Sequence, residues 1–472
     1  MTEQKRNVMI VGAGWTGSMF IEKIQREENP AYCLKCIIDD DREKLHTFVH
    51  GVEVVGSRAE IVEKSKEYEI DDIVVALPSV NKSEVRKILD ICKQTGCRLK
   101  SVPNIYEIDE REIEITRLRS INIDDLLERE PIKLNNDVAK QYIQGMTVLI
   151  TGAGGSIGSE LAKQVALNSP KRLVLLDIYE NTLFELEQEL MLDYSNIPIE
   201  CVIANVRDEE RINNIFKKYK PDVVYHAAAH KHVPLMESNP NEAIENNVFG
   251  TYTVAKVAGE HNIKKFILIS TDKAVNPTNI MGASKRMCEM IIQMLDSKYQ
   301  TTFGAVRFGN VLGSNGSVVP LFKKQIMRGG PITVTDPEII RYFMTISEAV
   351  SLVLQAGTYA QGGEIFVLDM GEPVKILDLA KNMIRLAGYS ENEIEIKIVG
   401  LRPGEKLYEE LLMSEEGLKK TENKLIYIGQ SIEFDESAFL NDLDELRKIV
   451  SEDKNGAVEL VKKMVPTYHP LL

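Results

Sequence analysis

Two openings of the form strand, glycine loop, helix, set 140 residues apart, constrain this chain more than any other feature. The first reads Asn7-Val-Met-Ile-Val-Gly-Ala-Gly-Trp-Thr-Gly17 and the second Thr147-Val-Leu-Ile-Thr-Gly-Ala-Gly-Gly-Ser-Ile-Gly158. A short apolar run of this kind suits a strand buried on both faces. The glycines let the turn pass close to other backbone, and the helix N-terminus behind them carries a partial positive charge that favours an anion. In each case the next strand ends on an acid, Asp39 or Asp177. The expectation is an α/β chain with two Rossmann-like, doubly wound parallel sheets.

Further strand patterns support that reading. Ile73 to Pro78 is expected to belong to the first sheet, and Leu173 to Leu176, Cys201 to Ala204, Asp222 to His226, Phe266 to Ser270, Ala305 to Phe308 and Glu364 to Leu368 to the second, with helical patterns between most of them. The boundaries predicted are a nucleotide-binding domain over 1–108, a charged linker or adapter over 109–145 and a larger domain over 146–472. At 472 residues the chain is too long for one ordinary core, which also asks for at least two domains.

The composition, 44% hydrophobic and 27% charged, is that of a folded globular protein. A formal net charge of -14 opposes nucleic acid or an anionic membrane surface as the main partner. No apolar run is long enough to span a bilayer and the first strand begins too early for a signal peptide, so a cytoplasmic location is expected. The six cysteines are expected to be thiols. Cys33 and Cys36 mimic half a metal site, but residues three apart on a strand point to opposite faces. His226, His230 and His232 lack an acidic or thiol partner nearby, and no metal is expected.

The second opening carries the stronger cofactor signal. Gly152, Gly155 and Gly158, with Ser156 and Ile157 between them, give a loop that can hold a pyrophosphate, and Asp177 lies nineteen residues past Gly158. Asp177 would accept hydrogen bonds from an adenosine ribose and repel a 2′-phosphate, so NAD is favoured over NADP. Asn205 and Val206 are expected to face the adenine, while Ala227 and Ala228 leave room for the cofactor backbone. The first opening has no catalytic cluster beside it, and there a bound ligand and a purely structural turn stay equally open. Trp15, the only Trp, lies in that loop.

Ser270-Thr-Asp-Lys273 and Met281-Gly-Ala-Ser-Lys285 stand where the chain resembles the extended short-chain dehydrogenase/reductases, except that Met281 occupies the position of their active-site Tyr. More closely it resembles the bacterial UDP-N-acetylglucosamine 4,6-dehydratases of the polysaccharide-biosynthesis family, one branch of which carries Met there. The resemblance extends over 123–131, His226-Ala-Ala-Ala-His-Lys-His-Val-Pro234, Arg307-Phe-Gly-Asn-Val-Leu-Gly313 and 401–412. It implies a second domain that is an extended short-chain dehydrogenase/reductase with a small C-terminal substrate-binding part from about 310 onward. It also implies oxidation at sugar C4, loss of water across C5 and C6, and return of the hydride to C6, with the C5 configuration retained in the Met branch.

By that resemblance Asp272 is the acid, Lys273 the base, Thr271 lies beside the C4 oxygen and Lys285 holds the nicotinamide ribose. Lys273 would need its pKa lowered by ~3 units to serve as a base at neutral pH, with Lys285 and an oxidised nicotinamide expected to push it down, and Asp272 would need burial or a second carboxylate to keep its proton. Lys231, His232, Asn310, Val319, Pro320, Arg341, Arg402 and Glu405 are implied around the UDP-sugar, and Arg307 is a further guanidinium suited to a pyrophosphate. A homo-oligomer is expected, since short-chain dehydrogenases pair through helices. Two rival readings are a nucleotide-sugar 4-epimerase or reductase, which would ordinarily need the missing Tyr, and a non-catalytic sensor of nucleotide sugars.

Overall fold

A computed structural model describes residues 5–26, 32–77, 80, 82–101, 137–387, 389–410 and 417–470. Most of the expected linker over 109–145, the 123–131 segment and the end of the 401–412 segment lie outside the described residues. The chain forms two compact units. One comprises 1–130, 321–337 and 376–399; the other comprises 131–320, 338–375 and 400–472.

The first unit holds a six-stranded sheet. Its spatial order is Phe48–Val49, Val52–Gly56, Tyr32–Ile38, Arg6–Val11, Asp72–Val75 and Arg98–Ser101. All neighbours run parallel except the first pair. Apolar clusters cover both faces, with Met9, Ile38 and Ile73 on one and Val8, Ile10, Ile37 and Val74 on the other. This double burial is why these strands read as unbroken apolar runs. A one-residue slip corrects the expectation for the two cysteines. Pairing shifts between Val8 and Met9, so Cys33 aligns with Asn7 and Cys36 with Met9. Asn7 and Met9 are two apart, which puts both thiols on one face.

In the second unit, seven parallel strands run in the spatial order Glu364–Leu368, Thr302–Arg307, Lys265–Ile269, Val223–His226, Thr147–Thr151, Arg172–Asp177 and Ile199–Ile203. Ile426–Gly429 and Lys419–Lys420 extend the sheet antiparallel. Strand order reverses between Thr147–Thr151 and Val223–His226, which opens the crevice used by ligands in such sheets. The sequence-expected strands are all present, shifted by up to three residues at their ends.

The helix Ile280–Asp296 is unusual in being buried around nearly its whole circumference, from Ile280 through Ile292 and again at Met294 and Leu295. The helices Glu436–Ser451 and Ala457–Met464 share one apolar cluster with it through Phe439, Leu446, Val461 and Met464. Among the described residues no helix is long and apolar enough to cross a membrane.

Candidate active site

The glycine loop after Thr147–Thr151 is shaped by close approaches that only hydrogen permits. Gly152 has φ +67°, and a Cβ there would lie 2.6 Å from the backbone nitrogen of Ala228. A Cβ on Gly158 would lie 2.0 Å from the Gly152 carbonyl oxygen, so this glycine seats the helix Ser156–Leu167 against the strand. Gly155 differs: its Cβ would meet only the Gly152 oxygen, at 3.2 Å, and otherwise faces open space.

That space is a cavity of about 220 Å³ lined by Gly152, Gly155, Asp177, Asn205, Val206, Ala227 and Ala228 among others. Asp177 is fixed by the backbone, accepting from the Gly154 amide at 2.8 Å and the Tyr179 amide at 2.9 Å. A carboxylate so anchored still offers lone pairs to a ribose. The open glycine, small alanines and anchored acid fit a dinucleotide. Ser156 turns to a second task, its Oγ accepting the Asn315 amide at 3.1 Å. Ile157 is half-buried against the apolar cluster under the loop.

Beside this cavity is a feature the sequence reading missed. Ile244–Phe249 is a π-helical turn, and such turns project side chains that an α-helix would bury differently. Asn246 lines the cavity. Asn247 is fully buried, accepting from the His230 amide through Oδ1 and donating to the His230 carbonyl and Ser284 hydroxyl.

The second cluster sits at the end of Lys265–Ile269, two strands along the same sheet. Pairing continues beyond the strand, from the Ser270 amide to Val306 and the Asp272 amide to Phe308, which carries Asp272 into the interior. Asp272 is 1% exposed. Its Oδ1 accepts from Thr271 Oγ1 at 2.8 Å and from Lys273 Nζ at 3.1 Å, while Oδ2 has no hydrogen-bond partner among the described residues. Gly282 seats the following helix, since a Cβ there would lie 2.2 Å from the Lys273 carbonyl oxygen.

Lys273 Nζ also lies 3.3 Å from Glu409 Oε1 and 3.4 Å from Asn310 Oδ1. Glu409 is itself buried and 3.6 Å from the Arg341 guanidinium. Burial raises the pKa of Asp272 against the pull of Lys273, and the charge of Glu409 raises it further. Asp272 thus has both the desolvation and the second carboxylate that an acid role demands. For Lys273 the downward push expected from Lys285 is not found. Burial pushes it down, but Asp272 and Glu409 outweigh this and hold it above its ordinary value; the opposing cation is Arg341 rather than Lys285.

Lys285 is nearly fully buried, and desolvation lowers its pKa. Met281, four residues earlier on the same helix face, is 4% exposed and packs in the apolar core. His226 lies beneath the site, held between the hydroxyls of Thr151 and Thr251 at 2.7 and 3.1 Å. Burial, with Lys285 adding to it, pushes its pKa down to about 3.

Most of the implied substrate residues fall into two groups. Lys231 donates to Ser314 at 3.3 Å, and Gly316 passes so close to His232 that a Cβ would come within 2.4 Å of the ring, so the 310–317 loop, Lys231 and His232 form one assembly. Arg341 donates to the carbonyls of Ile340, Lys406 and Leu407 and lies 3.6 Å from Glu405, which ties it to the 401–410 segment. That segment is fastened in turn by the Gly404 carbonyl, which accepts from Thr278 and Asn279. Val319 and Pro320 are half-buried at the start of the helix Val318–Met327, and Arg402 is exposed. Arg307 is not available to a ligand: 1% exposed, it makes a two-point pair with Glu289, which also accepts from Ser270.

Known proteins resemble this chain in two separate stretches. A family described as polysaccharide biosynthesis protein matches residues 148–431, and one described as a CoA-binding domain matches 1–103. A Staphylococcus aureus protein named capsular polysaccharide biosynthesis protein CapD is 49% identical over 430 residues, covering 90% of this chain and 72% of the relative. A Campylobacter jejuni protein named UDP-N-acetylglucosamine 4,6-dehydratase (inverting) is 37% identical over 294 residues, covering 61% of this chain and 84% of its own. Among solved structures, Pen from Bacillus thuringiensis aligns with a TM-score of 0.57 at 36% identity, covering 61% of this chain and 89% of that one. With a Rossmann sheet, an acid anchored beside its glycine loop and a buried Asp-Lys pair after one of its central strands, the chain belongs to the polysaccharide-biosynthesis family of extended short-chain dehydrogenase/reductases.

Proposed function

We propose that this chain is an NAD-dependent nucleotide-sugar 4,6-dehydratase acting on a UDP-N-acetylhexosamine, UDP-N-acetylglucosamine in the first instance, with retention at C5. The observation that carries the reading is the buried Asp272–Lys273 pair with Thr271 bonded to it, an acid and a base in one turn where an epimerase would need neither. The 37% identical relative named as a dehydratase supports the reaction class. Asp177 supports NAD over NADP, because a fixed carboxylate repels a ribose phosphate.

A bound nicotinamide supplies hydride acceptance from C4 and its later return to C6. The chain's own groups move the protons. Met281 has none to exchange, so the C4 hydroxyl proton passes through Thr271, whose hydroxyl is already aligned on Asp272. Asp272 becomes a neutral acid, as its burial favours. That change removes one of the two anions holding Lys273 charged, just as the new C4 carbonyl makes the C5 proton acidic. The Lys273 proton then has Glu409 as receiver at 3.3 Å.

Neutral Lys273 takes the C5 proton, and Asp272 delivers its own to the departing C6 hydroxyl, forming water. Lys273 afterwards returns a proton to C5 and recovers its first one from Glu409, which closes the balance. A single amine that both removes and returns the C5 proton works on one face of the sugar, which supports retention. Lys285 holds the nicotinamide ribose, and the 310–317 and 401–410 segments surround the nucleotide.

Incubation with UDP-N-acetylglucosamine in deuterated water tests the proposal by mass spectrometry and NMR. Loss of water, deuterium at C5 and unchanged C5 configuration are expected. Unchanged mass with inverted C4 would make the chain an epimerase, binding without conversion would make it a sensor, and inverted C5 would require a second proton donor.

A further inference from the structure

The first unit repeats the glycine-and-acid arrangement of the second on a loop one residue shorter, Gly17 lying five positions after Gly12 and Gly158 six after Gly152. Gly12 has φ +111°, and a Cβ there would lie 2.8 Å from the Ala76 carbonyl oxygen, as one on Gly152 would crowd Ala228. A Cβ on Gly17 would lie 2.0 Å from the Gly12 oxygen, matching Gly158 and Gly152. Gly14 faces open space. Asp39 accepts from the Ala13 amide at 2.7 Å and the Asp41 amide at 2.9 Å, the same pair of bonds that Asp177 makes to its loop and to the residue two further on. Between these groups lies a cavity of about 140 Å³, bounded by Gly12, Asp39, Asp40, Arg58 and Leu77. It corresponds in position to the cofactor cavity of the second unit: both lie at the ends of the first and second strands of their sheets.

We infer that this cavity binds an adenosine diphosphate whose ribose carries no phosphate, as in NAD or ADP-ribose, so that the chain holds two such nucleotides. The match of 1–103 to a CoA-binding domain suggests a different ligand, but coenzyme A bears a ribose 3′-phosphate, and the ribose end of this cavity is acidic. Asp39, Asp40 and Asp41 stand together there. The nearby cations are engaged: Lys44 lies 3.4 Å from Asp39 and 3.7 Å from Asp41, and Arg58 pairs with Asp40 and Glu84. A dianionic phosphate placed beside Asp39 would meet carboxylates that outnumber the two cations shared among them, whereas free hydroxyls would donate to Asp39.

Calorimetric titration of the full chain tests this with NAD, dephospho-coenzyme A and coenzyme A, the last two differing only in the 3′-phosphate. Two equivalents of NAD are expected on the unaltered chain and one on Asp177→Ala. On Asp177→Ala, dephospho-coenzyme A should bind at least about tenfold more tightly than coenzyme A. Adding Asp39→Asn, which keeps an acceptor for the Ala13 amide but drops the charge, should shrink that preference at least about threefold by improving coenzyme A, a gain that misfolding does not produce. No nucleotide bound by Asp177→Ala, coenzyme A bound as well as its dephospho form, or a preference unmoved by Asp39→Asn would each overturn the inference.

Discussion

Asp272 and Lys273 lie 3.1 Å apart, and Glu409 decides how they share charge. Its anion raises the proton affinity of both, so Glu409→Gln should lower the pKa of Asp272 and remove the receiver for the Lys273 proton. We expect kcat to fall by about 100-fold or more, with the acid limb of the pH profile, set by the Asp272 that must start ionised, displaced to lower pH and NAD affinity unchanged; steady-state kinetics across pH and a binding titration check this. His226 supplies a stability prediction. Its folded pKa of about 3 lies below its ordinary 6.5, so the neutral ring contributes stability that is fully present above pH 6.5 and lost as pH falls toward 3. Between pH 7 and 5 the chain should lose about 2 kcal/mol on this account, a loss that His226→Gln should remove in urea unfolding at the two pH values. The sequence pointed to Asp272 and Lys273 because they follow a strand, but it could not separate Glu409, buried, from Glu410, exposed, since both are adjacent acids in one loop. For the same reason Arg307 looked like a pyrophosphate ligand: a guanidinium reads alike whether it meets substrate or Glu289.

At the level of elements, the strand-loop-helix unit at Thr147–Leu167 depends on glycines whose hydrogens are in van der Waals contact with backbone. Gly158→Ala should push the helix off the Gly152 carbonyl, costing about 1–3 kcal/mol and weakening NAD binding at least about tenfold, measured by thermal unfolding and by titration. The central strands were legible, because burial on both faces leaves unbroken apolar runs, whereas Val52–Gly56, Arg98–Ser101 and Ile426–Gly429 nearer the sheet margins were not read. The slip at Val8/Met9 and the π-helical turn at Ile244–Phe249 were not legible either. Each is a shift of one residue in hydrogen-bond register, which leaves hydrophobic periodicity almost untouched while turning Cys33 or Asn246 to a new face.

Across the whole molecule, two units with separate apolar cores imply two unfolding events. Calorimetry should resolve two transitions, with Ile21→Ala and Leu446→Ala, each removing a fully buried side chain at about 2–5 kcal/mol, lowering different ones. Added NAD should raise both. A single transition lowered alike by either substitution would mean that the cores unfold together. What the sequence determined by itself was the class of each sheet, the order of its parallel strands' chemistry along the chain, and the two glycine loops with their acids, since these follow from local periodicity and fixed spacing. Only the tertiary structure decided which charges meet. It drew Glu409 and Arg341 from distant segments onto Lys273, held that lysine's pKa above its ordinary value and buried Arg307 against Glu289, because Coulomb interactions depend on distances of a few ångströms that residue spacing does not contain.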